Sequence, residues 1–419
     1  MLALIMAFWF TISFITNILG PLIPDIIHNF NLSDLAMAGF IPTSFFLAYA
    51  IMSIPAGILI DRYGEKPVLF CGFLMPFIGT ILFACIPAYP ILLASSFIIG
   101  LGMAMLQTVI NPLQRTVGGE ENYAFVAELA QFVFGVASFL SPLVYTYLIR
   151  ELDTNIYTAG KNLFVDVLAD ITPHGMPWVS LYWVFSALLL VMLLAVTFSR
   201  FPKITLQEDE KVGAKSSYLE LFRQRYVWLF FLGIFCYVST EQGVSIFMST
   251  FLEQYHGVDP QTVGAQTISY FWGSMTVGCL FGMILLKLID SKRLLQISGI
   301  LSMCLLLTAL FSPAEIAIWA FPAIGFSISM MYSIVFSLAL NTVKQYHGSF
   351  AGILCSGIAG GAGGPLLVSL VSDATSLRVG MMLVLVFMGY ITFIGFWANP
   401  LINNKTVSLK ELITFRKQK

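Results

Sequence analysis

The chain has 419 residues, of which 58% are hydrophobic and only 10% charged, with a formal net charge of −1. A soluble domain carries about 25% charged residues, so composition excludes an ordinary soluble protein, and the near-neutral balance offers no electrostatic footprint for nucleic acid. The six cysteines, Cys71, Cys85, Cys236, Cys279, Cys304 and Cys355, all lie in apolar runs without C-x-x-C spacing, which argues against a zinc site or a disulfide framework.

Apolar runs of about 20 residues, the length that crosses a bilayer core, recur along the chain and predict helices, because lipid leaves no partner for loose backbone groups. The predicted spans are 2–27, 37–60, 67–87, 90–114, 122–149, 179–199, 226–252, 262–287, 294–312, 315–341, 349–371 and 379–399. The first runs through Pro21 and Pro24, lacks a basic n-region and an A-x-A site, and is read as a retained helix. The loop 150–178, with His174 and Trp178, is expected to fold over the outer rim. The longest polar stretch, 200–225, divides the spans six and six, the layout of carriers built from two structural repeats. Its end, Ser216 to Arg225, sets Leu219, Leu221 and Phe222 among charges and predicts a short helix on the membrane surface. The expected fold is an all-α membrane protein of 12 transmembrane helices in two six-helix bundles, 1–199 and 226–400, with a linker at 200–225 and a tail at 401–419.

Lys and Arg set the orientation. With the N-terminus inside, all but three of the 21, the exceptions being Arg150, Lys161 and Arg378, fall on the cytoplasmic side, as the positive-inside rule expects. Both termini are then cytoplasmic, and a plasma membrane is the expected location.

Between helices 2 and 3 stands Gly57-Ile-Leu-Ile-Asp61-Arg62-Tyr63-Gly64-Glu65-Lys66. Gly57 permits close helix approach, Asp61 can pair across the halves and hold one conformation, and Gly64 permits a tight turn. The segment resembles the G-x-x-x-D-R-x-G-R-K signature of the major facilitator superfamily, with Glu65 in place of the first basic residue. Asp61-Arg62-Tyr63 also matches the D-R-Y of seven-helix receptors, but twelve spans and a place after helix 2 argue against that reading.

Further stretches resemble the fucose–galactose–glucose permease (fucose:proton symporter) branch: Ser53-Ile-Pro-Ala-Gly-Ile-Leu59, Asn111-Pro112 followed by Val117-Gly118, Leu129-Ala130-Gln131, Tyr237-Val-Ser-Thr-Glu241, Ser269-Tyr-Phe-Trp272-Gly273 with Gly278 and Gly282, and Phe326-Ser327-Ile328 through Tyr332 to Leu338. The resemblance implies a carrier fold and, for the membrane, the bacterial inner membrane. It places that family's helix-1 aspartate and helix-4 glutamate, its protonatable pair, at Asn17 and Gln107, amides that hydrogen bond but do not titrate. It places a sugar-contacting asparagine at Phe134 and a helix-8 arginine at Cys279.

Ionisable groups at membrane depth default to function. Glu241 lies about 15 residues into helix 7, near the midplane, beside Thr240 and Gln242, and is the candidate for coupling an ion or binding substrate. Glu128, near the inner end of helix 5, is a second coupling candidate or lines the mouth. Asp25, His28 and Glu253 are read as solvated rim residues. Candidate substrate contacts are Asn17, Gln107, Asn111, Gln131, Phe134, Tyr237, Glu241, Gln242 and Trp272, with Tyr270 and Tyr332 as further aromatic faces and Gln266 as a further amide. Amide–aromatic stripes also serve as glue between helices. Glycines cluster in helix 4 (Gly100, Gly102) and helix 11 (Gly352 to Gly364), either for sliding or for close packing.

The absence of H-E-x-x-H, G-x-S-x-G and a P-loop argues against an enzyme, against ATP as a direct drive, and against any cofactor or metal. The expected function is a secondary active transporter of a small polar solute, a monosaccharide first, by alternating access in a monomer within the lipid bilayer. The coupling ion is a proton or sodium. A carrier of another organic solute, and a uniporter or sensor that has lost proton coupling, stay open as alternatives.

Overall fold

The computed structural model describes residues 1–118, 123–152, 162–199, 201, 220–343 and 347–401, and for 54, 61, 111, 112, 114–116, 118, 123–128 and 347–349 the backbone alone. Twelve helices among them are long and apolar enough to cross a membrane, as the sequence predicts. They are α1 (Leu2–Thr16 with Leu19–Phe30), α2 (Leu35–Tyr63), α3 (Glu65–Cys85), α4 (Tyr89–Gly118), α5 (Tyr123–Glu151), α6 (Ser180–Phe198), α7 (Arg225–His256), α8 (Ala265–Leu288), α9 (Ser291–Phe311), α10 (Ala314–Ile328 with Met331–Leu340), α11 (His347–Ser356 with Gly360–Ala374) and α12 (Leu377–Trp397). The even count puts the start of α1 and the end of α12 at one face, the lower face below; the other is the upper face.

Three helices are interrupted where the sequence predicts continuous ones. α1 breaks at Asn17 and Ile18, because Pro21 has no N–H for the carbonyl of Asn17. In α10 the Ser327 and Ser329 hydroxyls turn back onto the carbonyls of Ile324 and Phe326, both at 2.8 Å, a form of bonding that competes with the helix ladder. In α11 a tight turn at Gly357–Ala359 separates two helical pieces, in a glycine-rich stretch where each glycine costs about 1 kcal/mol of helix propensity against alanine.

The halves meet along three helix pairs. In α1·α7, Gly20 sits on the carbonyl of Ser245. In α2·α11, Gly39 sits on Ser369 and Gly361 on the ring of Phe46, and Thr43 Oγ1 donates to the Ala362 carbonyl at 3.1 Å. In α5·α8, Gly135 sits on Thr276 and Gly273 on Phe139, while Ser269 Oγ donates to the Phe139 carbonyl at 2.6 Å. Glycine at each crossing lets the backbones close to a distance that a Cβ would forbid. In helix 4 the paired glycines serve static packing within the first half: Gly100 meets the Phe45 carbonyl and Gly102 meets Pro76.

Of the loop 150–178, residues 153–161 lie outside the described residues; the remainder forms a short helix, Leu163–Ile171. Its end folds onto the rim as expected: Trp178 is buried and donates from Nε1 to Asn29 Oδ1 at 2.6 Å. The linker 202–219 and tail 402–419 lie outside the described residues, including most of the expected surface helix; Leu221 is buried and the Phe222 carbonyl accepts from Trp228 Nε1 at 2.9 Å, joining the linker's end to α7.

Candidate functional site

The upper face is shut by polar contacts between the halves. His28 Nε2 and Glu253 Oε1 stand 2.9 Å apart. Asp373, at the end of α11, accepts the N–H groups of Leu35 and Ala36 at 2.6 and 2.7 Å. Thr146 Oγ1 donates to the Gln261 carbonyl at 2.9 Å. Gln261 Nε2 in turn donates to Asp25 Oδ1 at 2.7 Å, and Tyr145 O–H donates to Asp25 Oδ2 at 2.5 Å. Asp25 is only 6% exposed. The expectation of a solvated rim carboxylate is therefore corrected: the tilt of α1 after its break turns Asp25 inward, and a buried carboxylate keeps its charge only with donors on both oxygens. His28 is a solvated rim residue, as read, and Glu253 is part-exposed.

These bonds, with those of Thr43 and Ser269, lie on the upper side of the crossings at Gly20–Ser245, Gly361–Phe46 and Gly135–Thr276. One turn below the first crossing, Asn17 lies on α1 and Glu241 on α7, so a helical rise of 1.5 Å per residue puts them at one level on opposite sides. Below the second, Tyr49 on α2 and Cys355 on α11 occupy the corresponding positions.

Around Glu241 the second half builds a polar cluster. Gln242 Nε2 donates to Glu241 Oε1 at 3.1 Å, and the Tyr237 hydroxyl is within electrostatic reach of this carboxylate. The ring of Tyr237 lies 5.5 Å from that of Tyr332, which stacks on Phe336 at 5.7 Å. Tyr332 and Cys355 are within electrostatic reach of each other, and Tyr49 from the first half is within reach of both. Glu241 and Tyr332 are part-exposed and Cys355 is exposed, so the cluster fronts solvent-accessible space although it lies at mid-span. Cys279, where the resemblance expects arginine, donates to the Ser329 carbonyl at the α10 break, at 3.5 Å.

The first half contributes differently. Asn17 is buried, and its Nδ2 donates to Ser138 Oγ at 2.8 Å. Ser13 Oγ bonds the Phe134 carbonyl at 2.5 Å and Ser138 Oγ at 2.6 Å. Here Asn17 works as glue between α1 and α5. Phe134 is half-buried edge-on to Trp9; Gln107 is half-buried and Gln131 exposed. Trp272 is buried on α8, and its Nε1 and the Thr240 hydroxyl have no hydrogen-bond partner among the described residues. Tyr270 is corrected: it stacks on Trp319, 66% exposed, on the outside of the bundle. The side chains of Asn111, Glu128 and Asp61 lie outside the described residues.

Around the loop motif, Gly64 takes φ 82°, a positive φ that glycine adopts freely, at the tight turn expected of it. Gly57 lies within α2, and Arg62 is exposed with its guanidinium 5.3 Å from the Tyr63 ring. Sequence reasoning missed the role of Lys66, whose Nζ donates to the carbonyls of Thr197 and Ser199 at 2.7 and 2.9 Å, a cation on the negative end of α6. It also missed Tyr49, which looks like any aromatic in an apolar run. Among the described residues no group of three His, Cys, Asp or Glu side chains could hold a metal ion.

The family model for the Major Facilitator Superfamily matches residues 5–364. The chain is 29% identical over 398 residues to the glucose/galactose transporter of Brucella abortus, covering 92% of this chain and 91% of that one. It is 27% identical over 399 residues to the L-fucose-proton symporter of Escherichia coli, covering 89% and 86%. Both agree with the resemblance to fucose–galactose–glucose permeases. Among solved structures, the outward conformation of FucP superposes with a TM-score of 0.66 at 23% identity, over 95% of this chain and 98% of that chain. The inward-facing bacterial homologue of the human lysosomal transporter Spinster superposes at 0.74 and 15% identity, over 95% and 96%. The family model matches most of the chain and the fold agrees with it: the chain belongs to the Major Facilitator Superfamily.

Proposed function

We propose that this protein is a secondary carrier of a monosaccharide, hexose first, working by alternating access around Glu241. The observation that carries the reading is a carboxylate at mid-span, bonded by Gln242, within electrostatic reach of Tyr237 and still part-exposed, directly below a face that polar contacts seal. A sugar needs acceptors, donors and a flat apolar wall. Glu241 supplies the acceptor, Gln242 and Gln107 amides, Tyr237 and Tyr332 hydroxyls with ring faces. The names of the Brucella and Escherichia coli relatives support hexose or deoxyhexose as the solute class.

The coupling ion in this reading is a proton taken up at Glu241, supported by the relative named as a proton symporter; Glu128 is a second site for it at the mouth. The lysine and arginine bias supports a cytoplasmic lower face and the bacterial relatives support an inner membrane; in this reading the upper-face closure belongs to the inward-facing state of a monomer. Asp61 and Arg62 then act at the lower face, where they hold the opposite state.

Equilibrium binding of labelled glucose, galactose and fucose to the purified protein tests the substrate class. Competable binding of one of them, weakened about tenfold or more in Gln242→Leu by loss of a hydrogen bond to a charged network, is the expected result. Folded protein that binds none of them overturns the sugar reading.

A further inference from the structure

The N-terminus of α2 is capped from the other half of the molecule. Asp34 occupies its N-cap with extended backbone (φ −114°, ψ 132°), yet makes no side-chain cap hydrogen bond. From that position an aspartate normally accepts the N–H of the second or third helical residue. The N–H groups of Leu35 and Ala36 go instead to Oδ1 and Oδ2 of Asp373, on α11, at 2.6 and 2.7 Å. Asp34 and Asp373 line one cleft of about 330 Å³ between the halves, together with Tyr255 and Ser376.

Opening the upper face must part α2 from α11 and so withdraw Asp373. That would strand two N–H donors at the positive end of a 29-residue helix. Asp34 is already placed to replace it. The first turn is preformed, since Met37 N–H bonds the Asp34 carbonyl at 3.1 Å, and only rotation of the Asp34 side chain is needed to reach Ala36 or Met37 N–H. We propose that Asp373 and Asp34 are paired gating residues that exchange one cap. Asp373 caps α2 in trans when the upper face is closed, and Asp34 caps it in cis when that face opens. The exchange keeps both end states of the cycle close in free energy, which a carrier needs in order to cycle at all. The inference rests on the alternating-access reading.

Exchange gives the two aspartates opposite signs. Removing an N-cap shifts an equilibrium roughly two- to thirtyfold. Asp373→Ala acts on the closed state and raises the population open at the upper face; Asp34→Ala acts on the open state and lowers it. Asp34→Asn keeps a cap acceptor and restores the wild-type balance.

The test is the distance distribution between spin labels at Ile86→Cys and Glu315→Cys, exposed upper-face positions just after α3 and at the start of α10, in the full chain reconstituted in nanodiscs with its six native cysteines replaced. The expected result is a longer-distance population that grows in Asp373→Ala, shrinks in Asp34→Ala, and returns to the wild-type level in Asp34→Asn. Shifts of the same sign in both alanine variants, which helix fraying alone would give, overturn the proposal. So does a shift in Gln261→Ala with none in Asp373→Ala, an outcome that leaves alternating access intact. A single unchanging population in every variant removes the alternating-access reading, and the exchange with it.

Discussion

Gln261→Ala isolates one bond of the upper-face closure. The Gln261 amide is a C-half donor held by an N-half carboxylate, 2.7 Å from Asp25 Oδ1. Tyr145, the other donor to Asp25, belongs to the same half as Asp25 and stays with it whichever face is open. A hydrogen bond to a charged group contributes about 1.5–3 kcal/mol. Asp25 is 6% exposed in the closed state, where water is a poor substitute for the lost donor; in the open state water reaches it and the loss is small. Almost the whole term therefore falls on the closed state, and the ratio of open to closed upper face should rise about tenfold to hundredfold. The backbone contact from Thr146 is untouched, so the closure weakens without being abolished. The assay is the Ile86–Glu315 label pair, with Tyr145→Phe as control. That control should lower thermal stability of the first half while leaving the distance distribution near wild type. An unchanged distribution in Gln261→Ala, or an equal shift in Tyr145→Phe, refutes the reasoning that this bond holds the halves together.

Three further outcomes follow from the central cluster and the loop motif. Glu241→Gln keeps the hydrogen bonds of the site but not its charge, so gradient-driven uptake should vanish while exchange persists; unchanged ion dependence of uptake would sink the coupling role. Asp61→Asn should slow turnover severalfold with little change in half-saturation, and a pure affinity defect would contradict its gating role. Cys355, exposed beside Tyr332 in the space below the closure, should be alkylated by a polar maleimide from the lower face and protected by bound sugar. Modification of Cys355 at the same rate with saturating sugar would detach the cluster from the substrate path.

Much of the fold was legible because membrane helices write themselves as apolar length, and because the charges of 200–225 mark the midpoint. Glu241 stands out in the sequence for the same reason: a carboxylate far inside an apolar run is costly to bury. Asp25 was misread because its place near the end of a span looks like a rim, while its burial depends on the α1 break and on Gln261, 236 positions away. The break itself had a visible cause in Pro21, but a single missing N–H does not say whether a helix bends or parts. The trans cap was invisible for a related reason. Asp34 at a helix start reads as a self-sufficient N-cap, and nothing local announces that Asp373, 338 residues later, has taken its donors. Asn17 shows the converse limit: an amide at depth was a fair substrate candidate, and only geometry shows it spent on Ser138.

The most direct test of the account is substrate counterflow in proteoliposomes, with labelled glucose, galactose, fucose and N-acetylglucosamine. Counterflow needs no ion gradient, so it examines the pocket and the rocking of the halves without assuming the coupling. The account expects exchange of at least one of these sugars, preserved in Glu241→Gln and lost when a chemical cross-link between the halves locks the upper face shut. Folded, reconstituted protein that exchanges none of them would contradict a monosaccharide carrier.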